Sequence, residues 1–222
     1  MSDAPQPTAA EVKQQLLDVA QEMLRSGLVE GTAGNCAARL PDGNAVLTPS
    51  SLDYLTMTLD DLVVCDLDGN VVEGHRSPTT EKSLHLSALR LYPEINATMH
   101  CHAKFATMFA LTRQPIPAVI EEFDIFVGGD VEVADYQVTG SEELAAEVAR
   151  RVDRKAAVLM ANHGLFAVGK DAKQVLHVAH LIERTAEIVW GARAIGTVVG
   201  LPDKVNAQFA SYYRYGRTGS FD

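Results

Sequence analysis

The 222-residue chain, 47% hydrophobic and 22% charged, carries enough apolar side chain for one sizeable core and too little charge for a disordered chain. Its 29 acidic side chains outnumber 19 basic ones for a net charge of −10, which disfavours nucleic acid or an anionic membrane as partner, although a few amides and a metal can still hold a small anion. With three cysteines, no apolar run near the roughly 20 residues of a membrane span and no basic-then-apolar leader, a reducing, cytoplasmic setting is expected.

Residues 1–8 read as a flexible tail ahead of a single domain over 9–222. From 9 to about 26, apolar residues (Val12, Leu16, Leu17, Val19, Ala20, Met23, Leu24) recur at helical spacing, and Gly27 can end the helix. Segments 35–40 and 45–48 flank Pro41-Asp42-Gly43-Asn44 as a hairpin, and 62–66 and 71–73 flank Asp68-Gly69-Asn70 as a second. Thr80 is suited to cap a helix over 81–92, which Pro93 follows. A short strand over 97–102 leads into a helix over 103–111, and Pro115 and Pro117 break the pattern. A strand over 131–136 precedes an amphipathic helix over 141–152 whose start looks like a capping box. Apolar strands at 157–160 and 165–168 flank Asn162-His163-Gly164, and Asp171 caps a last long helix to about Ile195. Residues 201–222 form an aromatic tail with Tyr212, Tyr213 and Tyr215. Hairpins interspersed with helices predict an α/β fold, a mixed sheet covered by helices.

The chemistry concentrates in a few places. In His100-Cys101-His102, strand alternation turns both imidazoles to one face and Cys101 to the other, an arrangement suited to a divalent transition metal, zinc above all. A third nitrogen ligand must come from elsewhere, and His163, in a turn between two apolar strands, can supply it and leave a coordination position open. Glu81 at a helix start is either a carboxylate favoured by the helix dipole or a general acid/base beside the metal. Gly31-Thr32-Ala33-Gly34-Asn35, with the hydroxyls of Ser50, Ser51, Thr79 and Thr80, is either turn chemistry or an anion cradle. His75, His85, His177 and His180 read as structural or surface residues, and Cys36, Cys65 and Cys101 as small core residues.

GTAGN at 31–35, LTPSS at 47–51, Pro-Thr-Thr-Glu at 78–81, His-Cys-His at 100–102 and Asn-His-Gly at 162–164, in this order, resemble the class II aldolase/adducin family, and within it the L-fuculose-phosphate aldolases. The resemblance implies a three-layer α/β/α fold with a central, mainly antiparallel sheet. It also implies one zinc ion per subunit on His100, His102 and His163, with Glu81 as acid/base and, without substrate, a fourth ligand. Gly34, Asn35, Ser50, Ser51, Thr79 and Thr80 align with the family's phosphate-binding loops, although glycine is more usual where Ser51 stands and paired serines where Thr79 and Thr80 stand.

The implied reaction is cleavage of a ketose 1-phosphate, L-fuculose 1-phosphate or similar, to dihydroxyacetone phosphate and an aldehyde through a metal-stabilised ene-diolate. Related 4-epimerases typically carry aspartate where Glu81 stands, which favours aldol chemistry here. The tyrosine that follows the Ile-Pro-Ala segment in fuculose-phosphate aldolases is absent. Glu121 and Glu122 occupy that stretch, so they or Tyr215 are the candidates to handle the proton on the aldehyde oxygen. A dehydratase, a decarboxylase or a non-enzymatic adducin-like module are the competing readings. The family further implies a homotetramer with sites at subunit interfaces and a tail tyrosine reaching across.

Overall fold

The computed structural model describes residues 6–221. It opens with helix α1 (Ala9–Arg25), strands β1 (Asn35–Arg39) and β2 (Ala45–Leu47), a 3-10 turn at Leu59–Asp61, and strands β3 (Val63–Cys65) and β4 (Val71–Glu73). Helix α2 (Lys82–Leu91), strand β5 (Ala97–Cys101) and helices α3 (Lys104–Thr112) and α4 (Glu121–Val127) form the middle. Strand β6 (Val133–Ala134), helix α5 (Glu142–Arg151), the pair β7 (Ala157–Met160) and β8 (Gly164–Gly169), and helices α6 (Ala172–Ile195) and α7 (Asp203–Thr218) complete it.

The eight strands form one sheet in the order β4-β3-β2-β1-β5-β8-β7-β6, antiparallel throughout except for the β6–β7 pair. Because alternate residues face opposite sides, the central strands feed two cores. Cys36, Ala38, Met99, Cys101, Leu165 and Ala167 enter one, with α1, α3, α4 and α6. Ala37, Val158, Met160, Phe166 and Val168 enter the other, with α2 and α5. This is the expected three-layer α/β/α arrangement. Strands apolar on both faces are what such a sandwich requires, and each large side chain removed from water contributes about 1.5–3 kcal/mol. No helix among the described residues is long and apolar enough to cross a membrane.

Several local expectations need correction. Of the tail expected over 1–8, residues 1–5 lie outside the described residues, and Thr8 caps α1 in a capping box with Glu11. Thr80 does not cap α2. Glu81 occupies that position, and Thr79 Oγ1 accepts the Glu81 N–H at 3.2 Å. Ser141 caps α5 through the Leu144 N–H, but the third helical residue is leucine, so there is no reciprocal box. The strand expected over 131–136 shrinks to two residues. The aromatic tail is helix α7, its Tyr213 buried, and the stretch after Pro117 contains helix α4. The polar and aromatic residues of both helices mask their apolar stripes, which only the packing of α4 on α6 and of α7 on α4 makes visible.

Helix α4 buries an ionisable group. Asp124 is fully buried and neither carboxylate oxygen has a hydrogen-bond partner. Burial, reinforced by the charge of Asp130 and opposed by Lys155, raises its pKa from 3.8 to about 6. The folded chain therefore holds this proton more tightly than the unfolded one, and this group costs stability as pH rises from about 4 to 6, by about 3 kcal/mol in all. Asp124→Asn is expected to remove that loss. Urea unfolding should find the variant more stable than wild type at pH 7 and no more stable at pH 4, and equal stability at pH 7 would refute the account.

Candidate active site

The site forms where the central strands end. On β5, His100 turns to the α2 side with Thr98, whereas Met99 and Cys101 enter the first core. His102 lies one residue past the strand, its N–H donating to the Leu28 carbonyl at 3.0 Å. His163 comes from the β7–β8 hairpin, where Asn162 takes a left-handed conformation (φ 56°) and the His163 N–H donates to the Met160 carbonyl. Gly164 starts the return strand. A Cβ there would stand 2.5 Å from the Cys101 carbonyl oxygen and 3.1 and 3.2 Å from the rings of His102 and His100, so only glycine brings the hairpin this close.

The three imidazoles offer donor atoms within 4.8 Å of one another, with His100 Nε2 and His102 Nε2 3.1 Å apart. His100 Nδ1 donates to the Leu165 carbonyl at 3.0 Å, which leaves the lone pair of Nε2 directed inward. Burial first, then the charges of His163 and His102, push the pKa of His100 far down, and burial followed by His163 lowers that of His102. The cluster runs from buried His100 to exposed His102, so one side is open to solvent.

Glu81 completes the group. Its Oε2 lies 3.5 Å from His100 Nε2 and its Oε1 3.5 Å from His163 Nε2, and Oε1 is buried with no hydrogen-bond partner. Lone pairs of imidazole and carboxylate pointed at one another repel unless a cation lies among them. That bare oxygen and the neutral nitrogen donors fit a divalent transition metal, which His100, His102 and His163 would hold with Glu81 beside it.

The expected anion loops converge on the same end of the sheet. Thr79 N–H donates to the Thr48 carbonyl and Ser50 N–H to the Ser77 carbonyl, zipping the 48–51 loop to 77–79. Gly34 (φ 73°) approaches the His100 carbonyl so closely that a Cβ would lie 2.8 Å from its oxygen. Tyr54 donates to the Gly34 carbonyl at 2.6 Å and holds the loop from outside. Ser50 and Ser51 hydroxyls are 3.3 Å apart, Thr79 is buried and Thr80 exposed. The side chain of Asn35 is engaged inside the site, donating from Nδ2 to Glu81 Oε2 at 2.9 Å.

The remaining expected residues are not brought to the histidines within one chain. Glu121 and Glu122 are exposed on the first turn of α4, Glu122 lying 3.8 Å from Arg184. Tyr215 is exposed on α7 and stacks on Phe221 at a ring separation of 4.5 Å. Among the described residues, no hydrogen bond or ion pair links these three to the cluster. Two residues escaped sequence reasoning. His85 lies one helical turn after Glu81, a spacing that puts both on one face of α2 and was the available signal. Arg113, left-handed at the end of α3, donates from Nη2 to Asn162 Oδ1 and steadies the turn that carries His163; no sequence signal pointed to it.

Two outcomes follow from backbone geometry here. Gly164→Ala forces its methyl into the Cys101 carbonyl and the two rings, so about 1–3 kcal/mol of stability and much of the metal affinity should be lost, as read by thermal unfolding and bound-metal analysis; retention of both would refute the close-approach argument. Ser51 sits at φ 57°, a conformation costly for any residue with a Cβ. Ser51→Gly should stabilise the fold by about 0.5–1 kcal/mol in urea titrations, and destabilisation would show that the serine side chain repays its strain.

The model of the Class II Aldolase and Adducin N-terminal domain matches residues 14–190. The 5-deoxy-D-ribulose 1-phosphate aldolase of Bacillus thuringiensis serovar kurstaki is 35% identical over 193 residues, 86% of this chain and 90% of that protein. An L-ribulose-5-phosphate 4-epimerase of Salmonella paratyphi B is 34% identical, covering 83% of this chain and 86% of its own length. Among solved structures, an L-fuculose 1-phosphate aldolase superposes with a TM-score of 0.88 at 33% identity, over 93% of this chain and 98% of that one. The chain therefore belongs to the class II aldolase and adducin family, whose aldolases are metal-dependent lyases.

Proposed function

We propose that this chain is a zinc-dependent aldolase that cleaves a ketose 1-phosphate between C3 and C4, releasing dihydroxyacetone phosphate and an aldehyde. The observation that carries the reading is the buried, unpartnered Glu81 Oε1, held 3.5 Å from His163 Nε2 at the edge of the histidine cluster. A proton-transfer group must stand beside the metal yet keep a free oxygen, and this one does. The names of the relatives make 5-deoxyribulose 1-phosphate and L-fuculose 1-phosphate the first substrates to try, two compounds that share the phosphorylated half and differ in the aldehyde half.

The chain's own residues divide the work. The amides and hydroxyls of Gly34, Asn35, Ser50, Ser51, Thr79 and Thr80 anchor the phosphate, so that binding energy from a non-reacting group orients the bond to be broken. His100, His102 and His163 would hold a divalent cation, which would supply Lewis acidity toward the carbonyl and neighbouring hydroxyl of the substrate. Glu81 takes the C3 hydroxyl proton as substrate binds, the C4 hydroxyl loses its proton, the C3–C4 electron pair moves to C3, and Glu81 returns its proton to that carbon while solvent reprotonates the C3 oxygen. Glu121, Glu122 or Tyr215 of a neighbouring subunit in a homotetramer receives the C4 hydroxyl proton. Their exposure in the single chain is compatible with that arrangement. A cytoplasmic enzyme of this kind needs no partner beyond its own copies and its substrate.

The similarity to a 4-epimerase favours one second reading, in which the same bond breaks and re-forms with inverted C4. Both readings face one experiment. Protein purified without chelators is analysed for metal and incubated with 5-deoxyribulose 1-phosphate, L-fuculose 1-phosphate and L-ribulose 5-phosphate. About one zinc per chain, with dihydroxyacetone phosphate released from a ketose 1-phosphate, supports the aldolase. Conversion of the pentose 5-phosphate to its C4 epimer without triose release supports the epimerase. In the same assay Glu81→Gln should keep its metal and lose about 10²–10⁴ in turnover, and wild-type turnover in that variant would sink the role given to Glu81.

A further inference from the structure

Behind Glu81 a line of hydrogen bonds runs into the sheet. Asn35 Nδ2 donates to Glu81 Oε2 at 2.9 Å, Asn35 Oδ1 lies 2.6 Å from His85 Nε2, and His85 Nδ1 lies 2.7 Å from Thr98 Oγ1. All three residues are buried, and His85 has no exposed surface. Asn35 is the one hydrogen-bond donor to that carboxylate among the described residues.

The direction of each bond can be read from the carboxylate outward. A carboxylate accepts, so the end of Asn35 that faces it is the NH2 group and the other end is the carbonyl. A carbonyl also only accepts, so His85 Nε2 must carry the ring proton. Burial keeps this imidazole neutral, its pKa pushed down to about 3, and a neutral ring has a single N–H to give. Nδ1 is therefore bare and takes the Thr98 hydroxyl proton. In the opposite tautomer Nε2 would accept from the Asn35 amide, turning the Asn35 carbonyl toward Glu81 and setting two buried acceptors against each other.

We propose that His85 is a positioning residue: its Nε2–H, held by Thr98 at the far side of the ring, fixes the Asn35 amide so that Glu81 always meets a donor and stays aimed between His100 and His163. His85 touches neither the histidine cluster nor substrate, and it acts only through Asn35. The inference rests on the reading of Glu81 as the acid/base, but its geometry can be tested without turnover.

Long-range 1H–15N NMR correlations of the imidazole rings in the purified protein should show one histidine locked with its proton on Nε2 from about pH 5 to 8, a signal that His85→Gln removes. An Nδ1-protonated or titrating His85 overturns the proposal. Kinetically, His85→Leu should lower kcat at least about tenfold, with bound metal unchanged and KM within about threefold. His85→Gln, whose side-chain amide can still donate to Asn35, should recover most of kcat. Equal losses in both variants, or no loss in the leucine variant, also overturn it. Wild-type protein inactive on every ketose phosphate would count against the aldolase reading alone, because the tautomer measurement stands independently of activity.

Discussion

The site depends on one register. Asn35 of β1 sits directly opposite His100 of β5, and His100 directly opposite Phe166 of β8. Residues paired across antiparallel strands share a face, so this alignment puts the Asn35 amide and the His100 imidazole on the α2 side, where Glu81 descends on them. A slip of one residue would send His100 into the first core and bring Cys101 to the site. The register is defended from both sides. Gly34 packs on the His100 carbonyl and Gly164 on the Cys101 carbonyl, each where a Cβ would collide with backbone.

Burial and charge are balanced around this row. His100 is wholly inside the protein, where a protonated imidazole would be costly, and its Nδ1 proton is committed to a backbone carbonyl. Glu81 brings a carboxylate to the same place and finds one donor, Asn35, for one of its oxygens. The arrangement is thus rich in lone pairs and poor in protons, the inverse of a stable polar core. Such a surplus persists because the surrounding sheet and α2 hold it in place, and it becomes favourable when a cation binds. Exposure increases from His100 to His102, leaving the cluster open on the solvent side.

The two faces of the sheet have different duties. The face with α1, α3, α4 and α6 is a conventional apolar core that fixes the strand order. The other face is apolar toward α5 and polar toward the start of α2, where Thr98, His85, Asn35 and Glu81 hydrogen-bond in sequence. The polar line ends in the Thr98 hydroxyl, so a buried network is satisfied along its length and only Glu81 Oε1 remains bare. That one unsatisfied atom lies where the proposed reaction needs a proton-transfer group.

Much of this was legible in the chain itself. Alternation within His100-Cys101-His102 dictated two convergent imidazoles, turn signals dictated the hairpins, and the spacing of five short motifs carried the family and with it the three layers. These features are local, set by the period of a strand or the φ of a turn. Other features depend on contacts between residues distant in sequence. The approach of Glu81 to His163, 82 positions away, follows from α2 packing across the sheet. The engagement of Asn35 with both Glu81 and His85 follows from strand pairing, and a residue that reads as part of an anion loop acquires a second set of neighbours. His85 looked like any histidine on a helix until burial and two partners gave it a single tautomer. Helices α4 and α7 became definite only when each provided the apolar surface that the other lacked. The sequence by itself determined which chemical groups the protein owns and their local geometry, because those depend on neighbouring residues; the tertiary structure decided which of them meet, because burial, hydrogen-bond direction and protonation are properties of a shared environment.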